Sequence, residues 1–138
     1  MTKSPETHHE GECLCGTVRY VVEGSFEQLF LCHCSRCRKA TGTAHAANLF
    51  SMDAKLTWLS GEDQLRVFTV PESRHARTFC AVCGSPMPHL APSGRLKVPA
   101  GSLKTPMSMR PVAHIFDASR ADWDHELEDV PRFDERPG

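Results

Sequence analysis

Apolar and polar positions along this chain alternate with a period of two in short runs, and no helical periodicity persists beyond two turns. Val18, Tyr20 and Val22 alternate with Thr17, Arg19 and Val21, which predicts a half-buried strand over 17–22. Gln28–Leu31 predicts a short strand delivering Cys32, and Ala44–Phe50 an apolar strand or the wall of a pocket. Leu56–Leu59 and Leu65–Val70 flank the turn Ser60-Gly61-Glu62-Asp63 and read as an antiparallel pair. His75–Phe79 is a further strand leading to Cys80, Leu96–Ala100 a short one near an edge, and Val112–Phe116 the last. Pro86, Pro88 and Pro92 forbid a helix interior, and Pro106–Pro111 is a loop. Ser35–Thr41 has the length of one or two helical turns and is stopped by Gly42. The ends read as loose. Met1–Gly11 is a leader exposing His8 and His9, with a stray metal-binding role for that pair the lesser reading. Ser119 caps a single turn whose packing residue is Trp123, and Asp124–Gly138 is acidic and broken by proline. The pattern predicts a mainly β chain without internal repeats.

Composition sets the scale. At 138 residues, 40% apolar and 24% charged, one globular domain is expected. Its bounds are placed at 11–125, followed by an acidic tail over 126–138. The net charge of −1 hides an asymmetry. Residues 1–116 carry 9 acidic and 13 basic side chains, a balance of +4, whereas 117–138 carry 8 and 3, a balance of −5. Such a weak positive excess, without a basic stripe or interleaved aromatics, gives no expectation of a nucleic-acid partner. It suits a small anionic ligand if several cations line one pocket. No run approaches the roughly 20 apolar residues of a membrane span, and neither a signal nor an anchor is expected at the start.

The cysteines carry the chemistry. Seven of them fall in three tight groups, Cys13-Leu14-Cys15, Cys32-His33-Cys34-Ser35-Arg36-Cys37 and Cys80-Ala81-Val82-Cys83. An odd count at such short spacing argues for metal ligation in a reducing cytosol, hence a cytoplasmic location, and a Cys-x-Cys disulfide would be strained. Cys80, Cys83 and the following Gly84 form a knuckle that needs two more ligands, and Cys13 with Cys15 is the economical source. On a regular strand those two would face opposite sides, so a turn is expected there, allowed by Gly11 and Gly16. Four thiolates make a closed structural zinc site, with iron the alternative. In a chain with so little core, structural zinc can contribute ~10 kcal/mol or more to folding.

Cys32, Cys34 and Cys37 have three readings. They hold zinc with the fourth position open to water or an incoming thiol. They accept a fourth ligand from His33, His45, His75, His89 or His114. Or they hold no stable metal and one or more cysteines is reactive. His33 has a poor claim as a ligand there, since its side chain would have to fold back between two thiols. An open three-thiolate ion is a weak Lewis acid that prefers a soft sulfur ligand. A bound thiolate would stay nucleophilic toward a small electrophilic carbon, and Arg36, Arg38 and Lys39 could hold its carboxylate, unless they are only a solvated helix face.

Four motifs carry a family resemblance: Gly11-Glu12-Cys13-Leu14-Cys15-Gly16-Thr17-Val18-Arg19-Tyr20, Cys32-His33-Cys34-Ser35-Arg36-Cys37-Arg38-Lys39-Ala40-Thr41-Gly42, Phe79-Cys80-Ala81-Val82-Cys83-Gly84-Ser85 and the weaker Ala100-Gly101-Ser102-Leu103. With the late Trp123, they resemble the glutathione-dependent formaldehyde-activating enzyme and centromere protein V family over residues 11–125. The resemblance implies a β-tent fold of short antiparallel sheets stapled by zinc. It implies a structural ion on the residues matching Cys13, Cys15, Cys80 and Cys83. It also implies a second on those matching Cys32, Cys34 and Cys37, which are therefore the candidate catalytic residues. The implied activity is that of a zinc-dependent carbon–sulfur lyase on an adduct of a small thiol such as glutathione with an aldehyde such as formaldehyde. No general base stands out; His33 or a bound water are the candidates. The alternatives are a non-catalytic zinc module that binds protein or nucleic acid, and a thiol-based sensor.

Overall fold

The computed structural model describes residues 3–138. Eleven short strands and one helix follow in order. They are β1 (His8–Glu12), β2 (Arg19–Glu23), β3 (Gln28–Cys32), α1 (Ser35–Thr41), β4 (Ala46–Ser51), β5 (Lys55–Ser60), β6 (Leu65–Thr69), β7 (Ala76–Cys80), β8 (Pro86–Met87), β9 (His89–Leu90), β10 (Leu96–Pro99) and β11 (Ala113–Ile115). They build three sheets, ordered β1-β2-β5, β11-β3-β4-β10-β9 and β6-β7-β8. Every pairing is antiparallel except β11 on β3, which is parallel and sets Ile115 opposite Cys32. Among the described residues no helix is long and apolar enough to cross a membrane.

The period-two pattern places the core. β2 turns Tyr20 and Val22 inward and leaves Arg19 and Glu23 in solvent. β10 buries Leu96 and Val98. These side chains meet Val18, Phe26, Leu29, Leu49 and Met87 in one cluster that also includes Cys13 and Cys80. Polar contacts tie the sheets at their margins. The Tyr20 and Ser102 hydroxyls hydrogen-bond, the Lys97 ammonium donates to the Ala76 carbonyl at 2.9 Å, and Thr78 meets His89 Nδ1 at 2.9 Å.

Several expectations change. Residues 8–11 are not a loose leader but most of β1, whose Glu10 carbonyl also receives the Lys104 N–H at 2.7 Å. His8 and His9 do not act as an exposed pair. His9 is buried with Nε2 3.0 Å from the Gly24 carbonyl, while His8 sits between Glu10 and Glu23. β5 and β6 do not form a hairpin: β5 closes on β2 and β6 on β7. β10 does lie near an edge, between β4 and the two-residue edge strand β9. Trp123 does not pack, being 62% exposed; the residue that turns inward is Asp124, at 9%. The turn there runs over Asp117–Ser119, so Ser119 ends it rather than caps it.

Candidate functional site

The turn between β1 and β2 carries Cys13 and Cys15, and the turn after β7 carries Cys80 and Cys83. Gly16, at φ +80°, and Gly84, at φ +78°, supply the left-handed positions that bend each pair back on itself. Gly11 is not part of that bend. It lies in β1 opposite Tyr20, where a Cβ would fall 2.3 Å from the tyrosine ring. All four sulfurs lie within 4.8 Å of one another, with Cys13–Cys15 at 3.6 Å and Cys15–Cys80 at 4.0 Å. Tetrahedral zinc with bonds of about 2.3 Å to sulfur requires sulfurs about 3.8 Å apart. The donor set therefore fits such an ion in type, number and spacing. The cluster also disposes its thiols unequally. Hydrogen bonds from Ser85 hold the Cys83 thiol down to about 5, while burial pushes Cys13 up.

The second group sits where β3 runs into α1. Cys34 caps the helix: its sulfur accepts the Cys37 N–H at 3.3 Å. Gly42 closes the helix in the left-handed conformation, donating its N–H to the Arg38 carbonyl at 2.7 Å. Cys32, Cys34 and Cys37 have their sulfurs within 4.8 Å of one another, and among the described residues no histidine or carboxylate joins that group. Burial raises the Cys32 and Cys37 thiols. It opposes ionisation of Cys34 too, but hydrogen bonds from the Cys37 N–H and its sulfur neighbours outweigh it and hold Cys34 below the usual thiol range.

A cavity of about 790 Å³ runs between the two groups and touches both Cys13 and Cys37. This lies within the roughly 300–1,000 Å³ typical of small-molecule sites. His45, His75, Arg77, Lys97 and Lys104 line it, against the single carboxylate of Glu12, which pairs with Lys104 at 3.4 Å. Burial lowers the affinity of Lys97 for its proton, as it does for His45 and His75. Arg36, Arg38 and Lys39 do not line the cavity, so the cations that face a ligand are different ones. Lys97 had a legible signal. It is the one charge in Leu96-Lys97-Val98, so alternation points it away from the core its neighbours fill.

His33, His45 and His114 form a third group, with His45 also on the cavity wall. On an extended chain His33 faces away from Cys32 and Cys34. It is buried, with Nε2 2.8 Å from Nδ1 of His114 and its ring centroid 5.1 Å from that of His45. Asp124 Oδ2 lies 3.1 Å from His33 Nδ1 but off the line of a hydrogen bond, so both atoms are buried without a partner. Ligand atoms of His33, His114 and Asp117 fall within 4.8 Å of one another. His75 and His89 stand apart from it, on the cavity wall and against Thr78. Nothing in the sequence distinguishes Asp124 from the other acidic residues of its segment.

Comparison with known proteins follows the same lines. A crystal structure of a Rhodobacter sphaeroides protein, solved in a structural genomics programme, is similar in fold at a TM-score of 0.55. It shares 26% identity over 76% of this chain and 98% of its own. Among curated proteins none matches the chain in sequence. The family model described as glutathione-dependent formaldehyde-activating enzyme matches residues 8–119. Over most of its length, then, this mainly β chain belongs to the glutathione-dependent formaldehyde-activating enzyme family.

Proposed function

We propose that this protein is a zinc-dependent carbon–sulfur lyase that joins a small anionic thiol to an aldehyde, and reverses that step. The observation that carries the reading is the three-sulfur group, with no fourth ligand gathered to it among the described residues, bordering a cation-lined cavity through Cys37. Cys32, Cys34 and Cys37 would hold the second ion, and Cys13, Cys15, Cys80 and Cys83 the structural one. Bound at three sulfurs, zinc supplies a soft Lewis acid that favours the thiolate form of an incoming sulfur. Arg77 and Lys97 receive the carboxylates of a glutathione-like thiol and so fix where its sulfur lies. His45, and not His33, lines the cavity with Cys37, and would hydrogen-bond the aldehyde oxygen.

The step balances without a co-reactant. The sulfur–carbon bond forms as the carbonyl π bond breaks, and the thiol proton ends on the new hydroxyl. In reverse the sulfur leaves and the hydroxyl returns its proton.

Cobalt-substituted protein titrated with glutathione tests the reading. The sulfur-to-cobalt bands of the three-cysteine group are expected to shift while those of the four-cysteine group stay. Lys97→Gln is expected to weaken glutathione about tenfold, and a thiol without carboxylates much less. Bands unmoved at millimolar glutathione would leave no basis for a thiol substrate.

A further inference from the structure

Buried imidazoles find partners as a rule, and the group formed by His33, His45 and His114 has found them incompletely. His33 is 2% exposed, yet its Nδ1 has no hydrogen-bond partner, and neither has the buried Nδ1 of His45 beside it. His33 Nε2 instead points at His114 Nδ1, 2.8 Å away. Without an ion the two nitrogens share one imidazole proton in an N–H···N hydrogen bond, the place a cation would take between them.

The elements explain how the group assembles. The parallel pairing of β11 with β3 sets Ile115 beside Cys32, and its carbonyl accepts the His33 N–H at 2.9 Å. That register places His33 and His114 side by side. Phe116 then takes a left-handed turn at φ +53°, which brings Asp117 back toward His114. The Arg120 guanidinium donates to Asp117 Oδ2 at 3.0 Å and leaves Oδ1 for another ligand.

We propose that His33, His114 and Asp117 form a third, sulfur-free site for a divalent first-row transition ion, oriented from behind by Asp124. The donor chemistry is that of two imidazoles and one carboxylate, which suits iron or cobalt and leaves coordination positions open. The spacing fits the same assignment. With metal–nitrogen bonds of about 2.1 Å, nitrogens 2.8 Å apart subtend roughly 84° at the ion. That is near the 90° of adjacent octahedral positions and well short of a tetrahedral angle. Asp124 Oδ2, 3.1 Å from His33 Nδ1 though not aligned with it for a hydrogen bond, stands where a carboxylate commonly backs a metal-bound imidazole. His114 and Asp117 are exposed, so this ion exchanges with solvent more readily than one enclosed by buried thiolates. None of its ligands is a cysteine.

The test is a Co²⁺ titration of full-length protein whose cysteines have first been saturated with zinc. One further equivalent is expected to bind with weak ligand-field absorption and no sulfur-to-cobalt charge transfer. His114→Ala and Asp117→Asn, both at exposed positions, are each expected to remove or sharply weaken that equivalent while the tightly held zinc stays. Asp124→Asn is expected to weaken it by 10–100-fold. The one-equivalent difference between unaltered protein and His114→Ala reads the same whatever fills the thiol groups. Absence of an additional equivalent up to millimolar Co²⁺, charge transfer accompanying it, or its survival in His114→Ala would each overturn the assignment. Circular dichroism of the three variants separates loss of the site from loss of the fold.

Discussion

Tyr20 shows most directly how one side chain couples the core to solution conditions. It is fully buried between the sheets, and burial pushes its phenol up to about 12, the hydrogen bond with Ser102 working in the other direction. An unfolded tyrosine ionises near 10, so the folded state resists losing this proton. The stability it contributes is fully present below pH 10 and is lost as pH rises from there through 12. Urea midpoints are expected to hold up to about pH 9 and then fall more steeply for the unaltered protein than for Tyr20→Phe. Parallel curves for the two would show that this phenol is not the group responsible. At this scale the sequence was most informative where chemistry is clustered. The three cysteine groups are legible from spacing alone, and Lys97 from its place in an alternating strand. Asp124 was not, because its partner His33 lies about ninety residues earlier and only the parallel pairing of β11 brings the two ends together.

Strands were legible as elements and less so as partners. β2, β3, β4, β7, β10 and β11 lie close to where alternation placed them. The pairing of β5 with β6 failed because a loop with hairpin residues can also redirect the chain. Gly61 adopts φ +75° and is followed by a turn over Glu62–Gln64, which carries β6 into a separate sheet. There is no room to do this with a side chain. A Cβ at Gly61 would fall 2.3 Å from the Thr17 carbonyl oxygen, which already accepts a hydrogen bond from Ser60 at 3.0 Å. Since the obstacle is backbone, Gly61→Ala is expected to cost about 3 kcal/mol, combining the left-handed penalty with the clash. Gly42→Ala has the same handedness but open space around it, and should cost only about 1 kcal/mol. Equal losses in chemical denaturation would refute the role given to the close approach. The helix α1 owes its position to its ends, a sulfur cap at Cys34 and the left-handed Gly42, since only Cys37 among its residues is buried.

Taken whole, the molecule consists of three small sheets around a core of about a dozen apolar side chains. No sheet has much area of its own to bury, and two of the three meet at the four-sulfur group. If that group holds zinc, removing the ion cuts the tie between the β1–β2 turn and the end of β7. A strong chelator under reducing conditions is then expected to lower the urea midpoint markedly and to broaden the transition. A midpoint unmoved by chelation would mean that packing alone holds the sheets. Which strand joins which sheet was not readable from patterning, because runs of five residues carry the same alternation wherever they dock.

The parallel strand has a consequence for how the chain is made. During synthesis Cys13 and Cys15 wait only for Cys83, so if the four-sulfur group holds an ion it can close while the last forty percent of the chain is still to come. The edge of β3 that leads into Cys32 has no such early partner, and stays open until residues 113–115 emerge. With an ion in place, that tie would precede the covering of β3, and a ribosome stalled short of β11 would carry a body whose largest sheet still lacks its parallel edge strand.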